Sequence, residues 1–200
     1  MSRTAATAVA IHPLLAERWS PRAFDPTPVA AEDVTALIEA ARWAPSAMNH
    51  QPWRFVVGRQ DDGGADPTYK GIYDALAGGN QVWASSAPVL VVGLARVVDE
   101  DGTPRAIAPY ELGLAVGQLT VQAHALGLHV HQMGGFDPAQ VVDTFDVPEG
   151  YRPVVVLAVG RLGDAAALPQ RLAERETAPR ERLPLGEIAY AGSWGHPAAL

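Results

Sequence analysis

APSAMNHQPWRF, residues 44–55, joins two different patterns of sequence, and its reading decides the rest. Upstream, Val34, Leu37, Ile38 and Ala41 recur at helical spacing over residues 31–44, with Glu32 and Asp33 placed where a helix N-terminus favours negative charge. Pro45 cannot continue that helix. Downstream, WRFVVG at 53–58 has the aromatic and β-branched content of a strand. Ser46, Asn49 and Gln51 therefore fall on a loop between helix and strand. Hydrogen-bonding side chains held there suit the polar edge of a flat ligand.

Working outward, DDGGADPT at 61–68 is turn material leading into a short helix around 69–77. PVLVVGLA at 88–95 and PVVVLAVG at 153–160 read as buried strands and are far too short to span a bilayer. Residues 109–127 carry apolar side chains on nearly every face, including Leu112, Leu114, Val116, Leu119 and Val121. A helix apolar all round must be covered on all sides, which one small chain does poorly, so part of it is expected to meet a second copy. Gly113 and Gly117 would permit close packing there. Gly127 stops this helix, residues 128–132 are extended, and a further helix is expected from near Asp137 with Pro138 in its first position. The last forty residues, rich in Arg, Glu and Pro, read as an extended arm from about residue 161. The pattern is α+β: one domain over residues 1–200, with a central sheet of four to five strands and helices on both sides.

Composition narrows the chemistry. The 200 residues contain no cysteine, which excludes disulfides, thiolate ligands and a cysteine nucleophile, so any redox chemistry must come from a cofactor. A net charge of −7 argues against nucleic acid or an anionic membrane as the main partner. The N-terminal stretch lacks the pattern of a secretion signal, and a cytoplasmic location is the expectation. Against that acidic background, arginines gather in two places: Arg18 and Arg22 near the start, and Arg171, Arg175, Arg180 and Arg182 near the end.

The dinucleotide pattern GxGxxG and the phosphate-loop pattern GxxxxGK[ST] are both absent. His129 and His131 share one face of an extended segment but have no third ligand at a recognisable spacing, so no metal site is expected. His12 and Ser20 lack a third, orienting member, so a hydrolytic triad is not supported. Two segments remain. RWSPRAF at 18–24 sets two guanidinium groups around a hydroxyl in a stretch that Pro21 keeps from being helical, an arrangement suited to one small anion. MGGF at 133–136 offers backbone that something can approach closely.

Taken together and in order, RWSPRAF, APSAMNHQPWRF, GGN at 78–80, LGLHVHQMGGFD at 126–137 and PRERLPL at 179–185 resemble the FMN-dependent nitroreductase family along nearly the whole chain. The resemblance implies a mostly antiparallel sheet and a homodimer with shared flavin sites. It implies that Arg18, Trp19 and Ser20 hold the FMN phosphate and ribityl end, with Arg180 and Arg182 completing the phosphate cage. Arg22 would face the pyrimidine edge of the ring, and Asn80 would bond its polar edge. Pro45, Ser46 and Asn49 would come from the partner subunit. Gly134 and Gly135 would set backbone N–H groups near the reactive N5. Some relatives carry an acidic residue at the position of Gly134, so only a backbone role carries over. Trp19 stands where relatives have a polar or basic residue, which leaves it packing and a main-chain contact. The implied activity is hydride transfer from NAD(P)H through the flavin to a small-molecule electron acceptor, a nitroaromatic or quinone, in ping-pong order, with no catalytic side chain required. A specialised flavoenzyme (dehalogenase, enone or aldehyde reductase, flavin-fragmenting enzyme) and a non-catalytic flavin-binding module are the alternatives.

Overall fold

The computed structural model describes residues 3–199. Six strands make one sheet: β1 (Phe24–Asp25), β2 (Trp53–Asp61), β3 (Gly64–Ala65), β4 (Val89–Arg96), β5 (His129–Met133) and β6 (Tyr151–Leu162). Their order is β1-β6-β4-β2-β3, with β5 also paired to β6, and every pairing is antiparallel. The sheet thus has the expected direction. Its two additional strands, β1 and β3, are two residues long each, too short for a period-two pattern to register.

Alternation along β4 and β6 divides the apolar side chains between the two faces. Val89 and Val91 of β4, with Leu157 and Val159 of β6, pack against α2 (Ala31–Arg42) and α5 (Ala108–Ala125). Leu90 and Val92, with Val156 and Ala158, pack on the other face with Ile72 of α3 (Pro67–Asp74), Trp83 of α4 (Gly78–Ala84) and Val141 of α6 (Pro138–Thr144). Both strands are buried on both sides, hence their unbroken apolar sequence. Where α3 crosses β2, a Cβ on Gly58 would lie 2.4 Å from the backbone of Tyr69, so only glycine lets the two elements meet.

Local signals place several helix starts. Asp66 accepts from the Tyr69 N–H and Asp137 from the N–H groups of Ala139 and Gln140, each followed by a proline in the first turn. The arm beyond residue 161 is not extended throughout: β6 runs to Leu162 and α7 (Gln170–Thr177) follows, so the expectation of an extended arm needs correction. Arg and Glu are good helix formers, and α7 also buries Glu176 against the N-terminal segment. No helix among the described residues is long and apolar enough to cross a membrane.

Helix α5 is covered on one side only. Leu112, Ala115, Val116, Leu119 and Ala123 are buried, whereas Tyr110 is 68% exposed and a Cβ on Gly113 or Gly117 would meet nothing within 4 Å. The two glycines therefore allow no close packing within the chain. They lie on a face that the chain leaves open.

Candidate functional site

The N-terminal segment and the C-terminal arm meet around a cavity of about 200 Å³ lined by Arg3, Arg18, Trp19, Ser20, Arg22, Arg175, Glu176, Arg180 and Arg182. Every residue singled out in RWSPRAF and PRERLPL is there. Arg175, of the C-terminal arginine cluster, is there too, while Arg3 and Glu176 are additions that only the fold supplies.

Six guanidinium groups around one small cavity repel one another. Burial, then Arg182, pushes the pKa of Arg18 below its usual value. Burial, then Arg18, Arg182 and Arg3, does the same to Arg180. Arg22 is lowered by burial and by Arg175, with Glu176 acting in the opposite direction. Arginine stays charged under such pressure, so a bound anion is what relieves it.

The arm is fastened by the same residues. Arg180 donates to the carbonyl oxygens of Ala16 (2.8 Å), Arg18 (2.6 Å) and Arg3, and Arg3 donates to the Ala178 carbonyl. Arg182 donates to its neighbour's carbonyl, Glu181 O at 2.7 Å, and is exposed. The Arg3 guanidinium lies 4.3 Å from the centre of the Trp19 ring, whose edge meets His129 at 6.4 Å. Trp19 thus packs between Arg3 of the N-terminal segment and His129 of β5.

Two buried groups hold residues 21–23. Glu176 Oε1 accepts from the N–H groups of Arg22 (2.7 Å) and Ala23 (3.0 Å). His131 Nδ1 lies 2.8 Å from the Pro21 carbonyl oxygen; since a carbonyl only accepts, Nδ1 carries the proton. The His131 ring packs on Trp83 at 4.5 Å, and Trp83 stacks on Phe24 at 6.2 Å. Burial pushes the His131 pKa down to about 4, with Arg22 and Arg175 adding to the effect. His129 is also lowered to about 4, by burial and then by His124. The two histidines have separate surroundings, and no group of three or more ligating residues among those described could hold a metal.

A second cluster lies at the end of β5. Asn80 Nδ2 donates to Gly135 O at 2.9 Å, and the Ala77 N–H bonds the same oxygen at 3.0 Å. This joins GGN to MGGF. A Cβ on Gly134 would meet nothing within 4 Å, leaving its backbone open to a flat group; a Cβ on Gly135 would come within 3.0 Å of Asn80 Nδ2. Neither glycine has a positive φ, so openness rather than a tight turn accounts for them.

Pro45, Ser46 and Asn49 do not line the arginine cavity. Their loop is bonded to itself: Ser46 Oγ accepts the Gln51 N–H at 3.0 Å, and Gln51 Nε2 donates to Asn49 O at 3.1 Å. Met48, Asn49 and Gln51 have φ of 49°, 58° and 48°, a left-handed conformation that costs energy in residues with a Cβ. From outside, the Ala47 N–H donates to Oε1 of Glu111 at 2.6 Å and Arg54 of β2 donates to the Gln51 carbonyl at 3.0 Å. Glu111 is a buried carboxylate of α5, only 4% exposed, that the apolar pattern of its helix concealed.

The nitroreductase family pattern matches residues 15–82 and 59–161, and the chain belongs to that family. A Mycolicibacterium smegmatis protein of 15.4 kDa is 40% identical over 72% of this chain and 99% of its own length. A putative NADH dehydrogenase/NAD(P)H nitroreductase of Leptothrix cholodnii is 31% identical over 82% of this chain and 90% of its own. Among solved structures, one described as an oxidoreductase containing FMN superimposes with a TM-score of 0.89 at 38% identity, covering 97% of this chain and 98% of that one.

Proposed function

We propose that the protein is an FMN-dependent oxidoreductase that takes hydride from NAD(P)H and delivers it to a small acceptor such as a nitroaromatic or a quinone. The observation that carries this reading is the arginine cavity between residues 18–22 and 175–182. A terminal phosphate monoester brings nearly two negative charges, and guanidinium groups hold it through charge-assisted, often bidentate bonds. The donors fit that group: Arg18, Ser20 and Arg182 line the cavity with donors to spare, while Arg180 braces its wall. When bound, FMN supplies the hydride chemistry that a cysteine-free chain cannot.

The chain's own residues bind and orient. Arg22, which lines the cavity, would hold the pyrimidine edge of FMN, where negative charge develops on reduction, and would stabilise the reduced form more than the oxidised one. Gly134 leaves the β5 end clear for the ring, and Asn80, tied to Gly135, offers its remaining amide capacity to the ring's polar edge. Pro45, Ser46 and Asn49 reach the flavin of a second copy from the preformed loop that Glu111 holds. With no separate dinucleotide pattern in the chain, nucleotide and acceptor would use the same site in turn, which is ping-pong order.

Anaerobic mixing of the FMN-loaded protein with NADH or NADPH, followed by an acceptor panel, tests the proposal. Bleaching of the flavin by a nucleotide and its recovery on mixing with a nitroaromatic or quinone is the expected result. A flavin that neither nucleotide reduces would make the protein a non-catalytic flavin-binding module instead.

A further inference from the structure

Helix α7 is a surface helix with one anomaly. Arg171, Glu174 and Arg175 are exposed, but Glu176 is only 3% exposed, turned inward against residues 22 and 23. Burying a carboxylate is costly unless it is paired and bonded. Its oxygens are treated unequally. Oε1 takes two backbone N–H groups, whereas Oε2 is buried without a hydrogen-bond partner among the described residues, 4.0 Å from Nη1 of Arg22. If Glu176 served only to fasten the segment, one oxygen would suffice, and a neutral amide would do the same work without the desolvation of a charge.

We propose that Glu176 is a positioning residue for Arg22 that also sets how much positive charge Arg22 presents to the flavin, a reading that rests on FMN occupying the cavity. Oε1 fixes the backbone from which the Arg22 side chain leaves. Oε2 stands beside the guanidinium and offsets part of its charge, while Arg175, also facing the cavity, adds positive charge. His131, the remaining titratable group held against this segment, contributes no charge at neutral pH. Arg22 thereby stabilises reduced FMN, which carries negative charge at its N1–C2 edge, less than an unopposed guanidinium would. The chain holds the flavin at a lower potential than its cluster of arginines alone would set, so reduced flavin hands electrons on more readily.

The test compares dissociation constants of oxidised and of dithionite-reduced FMN for the wild-type apoprotein, Glu176→Gln, Glu176→Asp, Arg22→Met and the Glu176→Gln/Arg22→Met double variant. The glutamine keeps an oxygen for both N–H groups and removes the charge. It should shift binding toward reduced FMN by about tenfold relative to oxidised FMN. In the Arg22→Met background the same change should leave the ratio within about twofold, because the coupling needs both charges. Glu176→Asp keeps the charge on a shorter stem, so it should weaken both forms together and leave the ratio near that of wild type, even where Glu176→Gln folds poorly. A ratio unmoved by Glu176→Gln, moved equally in the Arg22→Met background, or moved by Glu176→Asp would overturn the inference while leaving FMN binding in place. Failure of the wild-type apoprotein to bind FMN would overturn the inference and the proposed function together.

Discussion

Arg180 donates to the carbonyl oxygen of Arg18 across 2.6 Å, so the last arginine cluster of the chain is bolted to the first. The sequence resemblance implies one common role on the phosphate for Arg180 and Arg182, but their bonding differs. Arg180 spends donors on three backbone carbonyls, and Arg182 on one adjacent carbonyl. Arg180→Met should lower stability by about 1–2 kcal/mol and weaken FMN binding, since three charged hydrogen bonds to backbone carbonyls are lost. Arg182→Met should weaken FMN while leaving the melting transition of the apoprotein in place. Thermal melts and flavin titrations of the two variants decide; equal losses of apoprotein stability would refute the division of labour.

The neighbouring glycines at 134 and 135 make a paired comparison. A Cβ at 134 meets nothing in the chain, so Gly134→Ala should leave the apoprotein's stability unchanged and reduce flavin affinity, because the methyl intrudes on the face left open for the ring. Gly135→Ala puts a methyl within 3.0 Å of Asn80 Nδ2 and should stretch the 2.9 Å bond from that amide to Gly135 O. It is therefore expected to cost some stability, about 1 kcal/mol, as well as affinity. If Gly134→Ala bound FMN as well as wild type, the ring would not lie over this backbone.

His131 makes stability depend on pH in a known direction. Its pKa falls from 6.5 to about 4 on folding, chiefly through burial, so below 6.5 the unfolded chain binds a proton that the folded chain refuses. The stabilising contribution is complete above pH 6.5 and is lost as the pH falls toward 4, by at most about 3 kcal/mol. His129 acts in the same direction and is less buried. Urea melts between pH 7.5 and 4.5 should show a steeper loss for wild type than for His131→Asn, whose amide can still donate to Pro21 O. Parallel pH profiles would mean that His131 takes up its proton as readily in the folded chain as in the unfolded one.

Legibility followed sequence distance. The start of α6 could be read because Asp137 with Pro138 acts within one turn; Asp66 with Pro67 does the same for α3, which starts at Pro67 rather than near residue 69 because those two residues look like turn material in sequence. Helix α4 could not be read, since Gly78 and Gly79 are poor helix formers and what holds that turn in place is tertiary: the burial of Trp83 and Ala84 and the bond from Asn80 to Gly135 O. In the site, the arginines and amides stood out by residue type. Their supports did not: Glu176 reaches Arg22 across 154 positions, His131 reaches Pro21 across 110, and Glu111 reaches Ala47 across 64. A buried carboxylate whose partner is a distant N–H looks in sequence like any helical glutamate.

Whether each flavin site is built from two chains can be tested by mixing variants. Arg18 lines the arginine cavity, whereas Ser46 and Asn49 sit on a loop that does not, held beside the first turn of α5, the helix whose face at Tyr110, Gly113 and Gly117 is left open. If that face meets a second copy, a site combines Arg18 of one chain with Asn49 of the other. Arg18→Met and Ser46→Ala/Asn49→Ala homodimers then each have two defective sites. A mixed dimer concentrates both defects in one site and leaves the other intact. Equal amounts of the two variants, unfolded and refolded together, should therefore regain about a quarter of the wild-type flavin binding, from half of the dimers with one good site each. The measurement is flavin fluorescence quenching at a concentration where either variant alone binds almost none. No recovery on mixing, with sedimentation showing that dimers have formed, would place the whole site within one chain and leave the strained loop at Met48, Asn49 and Gln51 without a role at the flavin.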